Sequence, residues 1–194
     1  MSQRVEKLAV LFADICGSTA LYESLGDDLA RKMISRCINT MAGKISVYQG
    51  TLIKTIGDEV MVTFPSAEAA FYAACAMLVA VNNDRPLDGI PLHIRIGFNY
   101  GEVIKESNDV FGNTVNVAAR VAAITRADQI MATQAVFNAL PPNLRNKMHQ
   151  IMRAESHDPA KDRASRHPLV SRGFEQSQIR RQMRRAIRAL QINS

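Results

Sequence analysis

Apolar residues gather along roughly the first 140 positions in two textures: short runs of strand length and longer stretches with a four-residue beat. Residues 7–13 (KLAVLFA) form a short apolar run ending at Asp14, the pattern of a buried strand. The turn Ile15-Cys16-Gly17-Ser18-Thr19 follows, and its hydroxyl residues suit a helix N-cap. A second helix is predicted to open at Asp27-Asp28, where carboxylates favour the positive end of the dipole. Its apolar positions Leu29, Met33, Cys37, Met41 and Ile45 recur every four residues and mark a core-facing stripe that Gly50 terminates.

Residues 51–64 (TLIKTIGDEVMVTF) read as a hairpin turning at Gly57-Asp58-Glu59. Pro65-Ser66 opens an Ala-rich helix running to about Asn82. A second hairpin is expected from Leu92 through Ile104 with Gly101 near its turn. A loop around Asp109, a helix over 115–125 and a strand over 129–133 follow, and Ala139-Leu140-Pro141-Pro142 closes the last helix. The order is strand, helices, hairpin, helix, hairpin, helix, strand. It predicts an α+β fold with one mostly antiparallel sheet covered by helices.

Charge divides the chain. Ten of the 24 basic and four of the 18 acidic residues lie in 153–194, which leaves fourteen of each in 1–152. The net +6 therefore belongs to the tail, and the main domain (1–152) offers no basis for binding nucleic acid. From about Ser156 the texture is that of a linker. Beyond it Ile179, Met183, Ile187 and Leu190 share one helical face among arginines. For this basic tail, an amphipathic helix touching a partner or membrane and a solvated disordered segment both stay open. Cys16, Cys37 and Cys75 share no CxxC spacing, and reduced cytoplasmic thiols are the plain expectation. No run approaches the roughly 20 apolar residues of a membrane span.

Asp14 ends a strand and Asp58 tips a hairpin, so the two carboxylates can converge on a hard cation such as Mg²⁺. The Ile15–Thr19 turn adds helix-start N–H groups that suit a polyphosphate. Taken singly, each aspartate reads as readily as a cap or a turn residue. The ordered set DICGST, KTIGDEVMVTF, RIGFNYGEV and DVFGNTVNVAAR changes that, because over about Leu8 to Leu140 it resembles the class III adenylyl/guanylyl cyclase catalytic domain. The resemblance implies the palm-type, ferredoxin-like sheet of that family.

The resemblance also implies site roles. Asp14 and Asp58 match the aspartates for two divalent ions, Mg²⁺ or Mn²⁺, with the Ile15 carbonyl assisting. Gly17, Ser18 and Thr19 lie at the triphosphate, and Arg95 matches an arginine on its terminal phosphates. Lys54 and Asp109 match the adenine-reading pair, where guanylyl cyclases typically carry glutamate and cysteine. Asn116 and Arg120 match the pair that positions the ribose and stabilises the transition state, and their i, i+4 spacing puts both on one helical face. The expected function is an adenylate cyclase using ATP, built as a homodimer with shared active sites and attached to, or served by, a regulatory domain. A guanylate cyclase and a non-catalytic nucleotide-binding homologue are the alternatives. Nothing in 153–194 matches the family's closing strands with their phosphate lysine, and Arg163, Arg166 and Arg172 are open candidates for that role.

Overall fold

The computed structural model describes residues 4–84, 90–145, 149–151 and 171–173. The chain runs β1 (Arg4–Cys16), α1 (Ser18–Leu25), α2 (Asp27–Ile45), a 3-10 turn (Ser46–Tyr48), β2 (Thr51–Ile56), β3 (Glu59–Phe64) and α3 (Ala67–Asn83). It continues with β4 (His93–Glu106), β5 (Asp109–Phe111), α4 (Asn113–Ile124), β6 (Ile130–Ala132), α5 (Gln134–Ala139), α6 (Pro142–Arg145), β7 (His149–Ile151) and β8 (Ser171–Gly173).

The main sheet has strand order β2-β3-β1-β4-β5, antiparallel throughout, with β6 joining β4 in parallel. β1 is central and covered on both faces, so Ala9 through Ala13 are all buried. That double burial explains the continuous apolar run where a half-exposed strand would alternate. Ala9, Leu11, Ala13 and Ile15 point to one face and meet the helical stripe of Met33, Cys37 and Met41 together with α3. Val10 and Phe12 point to the other, where they pack with Met61, Val103, Val110 and the α4 residues Ala118 and Ala122.

α3 starts as its sequence requires. Ser66 caps it by accepting a hydrogen bond from the Ala69 N–H at 3.0 Å. α1 differs from expectation, because its N-cap is Gly17 at φ +76° and no side chain caps it. The start of this helix keeps its N–H groups for other acceptors.

The second hairpin is the main departure. β4 runs unbroken through Gly101 to Glu106, and the turn comes at Ser107-Asn108 before β5. Gly101 is small for another reason: a Cβ there would lie 2.7 Å from Thr114 Oγ1 of α4. In the tail, Ser171–Gly173 pairs antiparallel with His149–Ile151, so the expected linker carries a short strand. The proposed amphipathic helix over 179–190, and Arg163 and Arg166, lie outside the described residues; Arg172 falls in β8.

α4 lies directly on the backbone of β4. A Cβ on Gly97 would stand 2.1 Å from the Ala122 nitrogen. Backbone cannot yield as a flexible side chain can, so Gly97→Ala must lift α4 from the sheet. We expect it to cost about 2 kcal/mol, the usual scale of core overpacking, read as a lower urea midpoint with an unchanged slope.

Candidate active site

The register of three strands builds the site. Asp14 on β1 stands opposite Glu59 on β3 and opposite Arg95 on β4. Directly opposed residues share a face, so Glu59, Asp14 and Arg95 form a row across the sheet on the side that α4 covers. Arg95 donates from Nε to Asp14 Oδ2 at 2.7 Å, and its Nη2 lies 2.6 Å from the same oxygen. The Arg95 Nη1 also reaches the Ala123 carbonyl on α4, at 3.5 Å.

Asp58 joins this row through the two-residue turn between the paired Ile56 and Glu59, with Gly57 at φ +63° taking the left-handed conformation. Asp14, Ile15, Cys16, Gly17, Ser18, Thr19, Asp58 and Arg95 line one open cleft of about 380 Å³. The Ile15 side chain is buried in the core, which leaves its backbone to face the cleft. Every residue that the sequence assigns to metal or triphosphate is therefore brought together.

Glu59 is the residue that motif reading missed. Burial and the Asp14 carboxylate raise its pKa above the ordinary carboxylate value; Arg95 opposes the shift and Asp58 adds to it. The signal was present, because Glu59 directly follows Asp58 in a hairpin whose register could be counted. Three carboxylates thus face one guanidinium, a local excess of two negative charges. Among the described residues no group of three or more His, Cys, Asp or Glu forms a closed metal cage. Two aspartates, a backbone carbonyl and an open cleft nonetheless fit Mg²⁺ or Mn²⁺, hard cations that take few protein oxygens and fill the rest with phosphate and water.

A second group assembles elsewhere on the same face. Lys54 Nζ lies 2.6 Å from Asp109 Oδ2, although β2 and β5 are opposite ends of the strand order. The sheet curls enough to bring its edges together. A β-bulge makes the meeting possible: Leu52 pairs with Val62, yet Lys54 pairs with Met61. Uninterrupted pairing would oppose Lys54 to Val60, on the face of α2 and α3. The extra residue turns Lys54 to the Met61 face, from which its ammonium reaches the Asp109 carboxylate. The Lys54 ammonium holds the Asp109 carboxyl below the ordinary aspartate value, and the Val110 N–H adds to the effect.

Asn116 and Arg120 are exposed on α4 one turn apart, and among the described residues their side chains make no hydrogen bond or ion pair. The helix beneath them is anchored at its start. Asn99 donates to the Thr114 carbonyl at 3.2 Å, and the Thr114 hydroxyl donates to the Glu102 carbonyl at 2.6 Å. None of Lys54, Asp109, Asn116 and Arg120 lines the aspartate cleft. Of the histidines, to which the sequence assigns nothing, His93 pairs through Nδ1 with Asp128 at 2.6 Å. All three cysteines are free thiols.

A family model described as the adenylate and guanylate cyclase catalytic domain matches residues 1–169. An adenylate cyclase of Streptomyces coelicolor is 30% identical over 134 residues, which is 69% of this chain and 34% of that protein. The chain thus spans about a third of the length of that relative. Among solved structures, the guanylyl cyclase Cya2 superposes with a TM-score of 0.75 at 22% identity, over 89% of this chain and 93% of that one. The adenylyl cyclase CyaB from P. aeruginosa gives 0.70 at 23% identity, over 90% and 97%. At those identities the structures speak for the fold. The family model covers most of the chain, and this chain belongs to the adenylate and guanylate cyclase catalytic domain family.

Proposed function

We propose that the chain is an adenylate cyclase converting ATP to 3′,5′-cyclic AMP and pyrophosphate in sites shared across a homodimer. The observation that carries this reading is the Lys54–Asp109 pair at 2.6 Å. A lysine donor beside a carboxylate acceptor matches the adenine edge, where N1 accepts and the N6 amino group donates. Guanine offers the opposite pattern at those atoms. The curled sheet and the bulge present both groups on one face.

The rest of the reading assigns roles to residues already placed. Gly17, Ser18 and Thr19 cradle the polyphosphate with the uncapped N–H groups of α1. Arg95 meets the terminal phosphates, Asn116 orients the ribose, and Arg120 counters charge developing on the α-phosphate. Two divalent cations held by Asp14, Asp58 and the Ile15 carbonyl would supply Lewis-acid chemistry, acidifying the 3′-hydroxyl and neutralising the triphosphate. The bond formed joins O3′ to the α-phosphorus, and the bond broken is the one to the leaving pyrophosphate.

Exposure supports the shared site. Leu52 and Ile56 on β2 and Phe111 on β5 are exposed apolar residues on the two strands that carry Lys54 and Asp109. Exposed apolar side chains on both edge strands suit a covering partner. Asp14→Ala and Arg120→Ala should each reduce cyclic AMP formation to background. Mixed in equal amounts, half the dimers are heterodimers with one intact site of two, so about a quarter of wild-type activity should return. Inactive mixtures that still contain heterodimers would refute the sharing, and turnover of GTP in place of ATP would refute the base assignment.

The base pair has its own solution signature. Because Lys54 depresses the Asp109 pKa, the pair's contribution to stability is present above the unfolded aspartate value and lost as pH falls through the folded one. Lys54→Met should move the Asp109 titration upward toward the ordinary aspartate value, as followed by carboxyl NMR across acid pH. ATP turnover should fall by about tenfold or more, the usual scale for a lost charged hydrogen bond.

A further inference from the structure

The contact between Arg95 and Asp14 joins two residues that a nucleotide site would use for different partners, one for cations and the other for phosphate. Both donors, Nε and Nη2, fall on the single oxygen Oδ2. The pair is set by strand register, with Asp14 and Arg95 directly opposed on β1 and β4, so it does not depend on a loop. The Asp14 side chain is only 13% exposed, which shields the pair from the screening that weakens surface ion pairs. On the other flank of Asp14 stands Glu59, and among the described residues Arg95 is the cationic group that acts on it. Arg95 therefore balances a patch that otherwise holds three carboxylates.

A dication approaching Asp14 meets that guanidinium directly. Either the two positive groups share one carboxylate at close range, or the arginine leaves. Leaving is easy in one direction, because Arg95 itself lines the cleft that runs to Gly17, Ser18 and Thr19. Its planar fork suits phosphate oxygens as well as it suits a carboxylate.

We propose that Arg95 is an internal counter-ion for Asp14 that a divalent cation must displace, and that the displaced guanidinium then swings onto the phosphates of the nucleotide. The inference rests on the cyclase reading for its ligands and deepens it. Arg95 gains a second role, in which it weakens cation binding to the empty cleft and couples cation arrival to capture of the triphosphate. Asp14 stays neutralised at every stage, first by one positive charge and then by two.

The test is Mn²⁺ binding to the nucleotide-free protein, followed by loss of the free-ion electron paramagnetic resonance signal. Arg95→Met should bind Mn²⁺ roughly tenfold tighter than wild type, the scale of a shielded charge-assisted pair removed from competition. Arg95→Lys, which keeps the charge but loses the two-donor hold, should fall between the two. Equal or weaker binding by Arg95→Met overturns the proposal. If Arg95→Met does not fold by circular dichroism, Arg95→Lys decides alone, and affinity no better than wild type overturns it. Asp14→Ala serves the separate question. If it leaves Mn²⁺ binding unchanged, the cation site itself is misplaced, whatever Arg95 does.

Discussion

The distance between α4 and the sheet governs the site. At Gly97 the helix rests on strand backbone with no room for a single carbon between them. That approach lets Ala118 and Ala122 close over Val10, Phe12 and Met61, and it sets how far Asn116 and Arg120 stand from the sheet. It also brings the Ala123 carbonyl within reach of Arg95, so the helix touches the group that neutralises Asp14. Small residues on both sides serve this contact: two glycines on β4 and a run of alanines on α4.

Electrostatics gives the same face two characters. Around Asp14 the carboxylates outnumber the positive groups, and burial makes that imbalance matter, as the raised pKa of Glu59 records. Around Lys54 and Asp109 one charge meets one charge, and the strands that carry them end in exposed apolar residues, Ile56 and Phe111. The first patch needs cations to complete it. The second needs a hydrogen-bonding ligand and a covering surface.

How much of this was legible depended on whether a feature was local. The helical stripe from Leu29 to Ile45 and the turn at Gly57-Asp58 could each be read from a few neighbouring residues, and the structure places them there; the first strand was legible too, but it runs past Asp14 to Cys16, because Ile15 and Cys16 still pair with β4. Gly101 misled because a glycine needed for close packing against Thr114 looks the same in sequence as one needed for a turn. The α1 cap misled in a similar way: hydroxyls at Ser18 and Thr19 suggested a cap, but Gly17 holds that position in the left-handed conformation. The bulge between Leu52 and Lys54 left no signal, since it is a property of pairing between two strands. Glu59 lay in plain view. Its place in the site comes from standing opposite Asp14, a relation between two strands that no single motif carries.

The shared-site reading follows from how these two patches differ. A nucleotide carries its polyphosphate at one end and its base at the other, so it needs both kinds of surface facing one another. Within one chain the Asp14–Asp58 cleft and the Lys54–Asp109 pair lie apart on one curled sheet, and neither Lys54 nor Asp109 lines the cleft. In the proposed homodimer, two copies related by a two-fold axis would solve this geometry, because each would present its cleft to the other's Lys54–Asp109 pair. The apolar residues on β2 and β5 would be buried by the same approach, so the contact that completes the sites would also supply part of its own stability. A closed two-fold contact makes two identical sites, and each would fail if either copy lost its half.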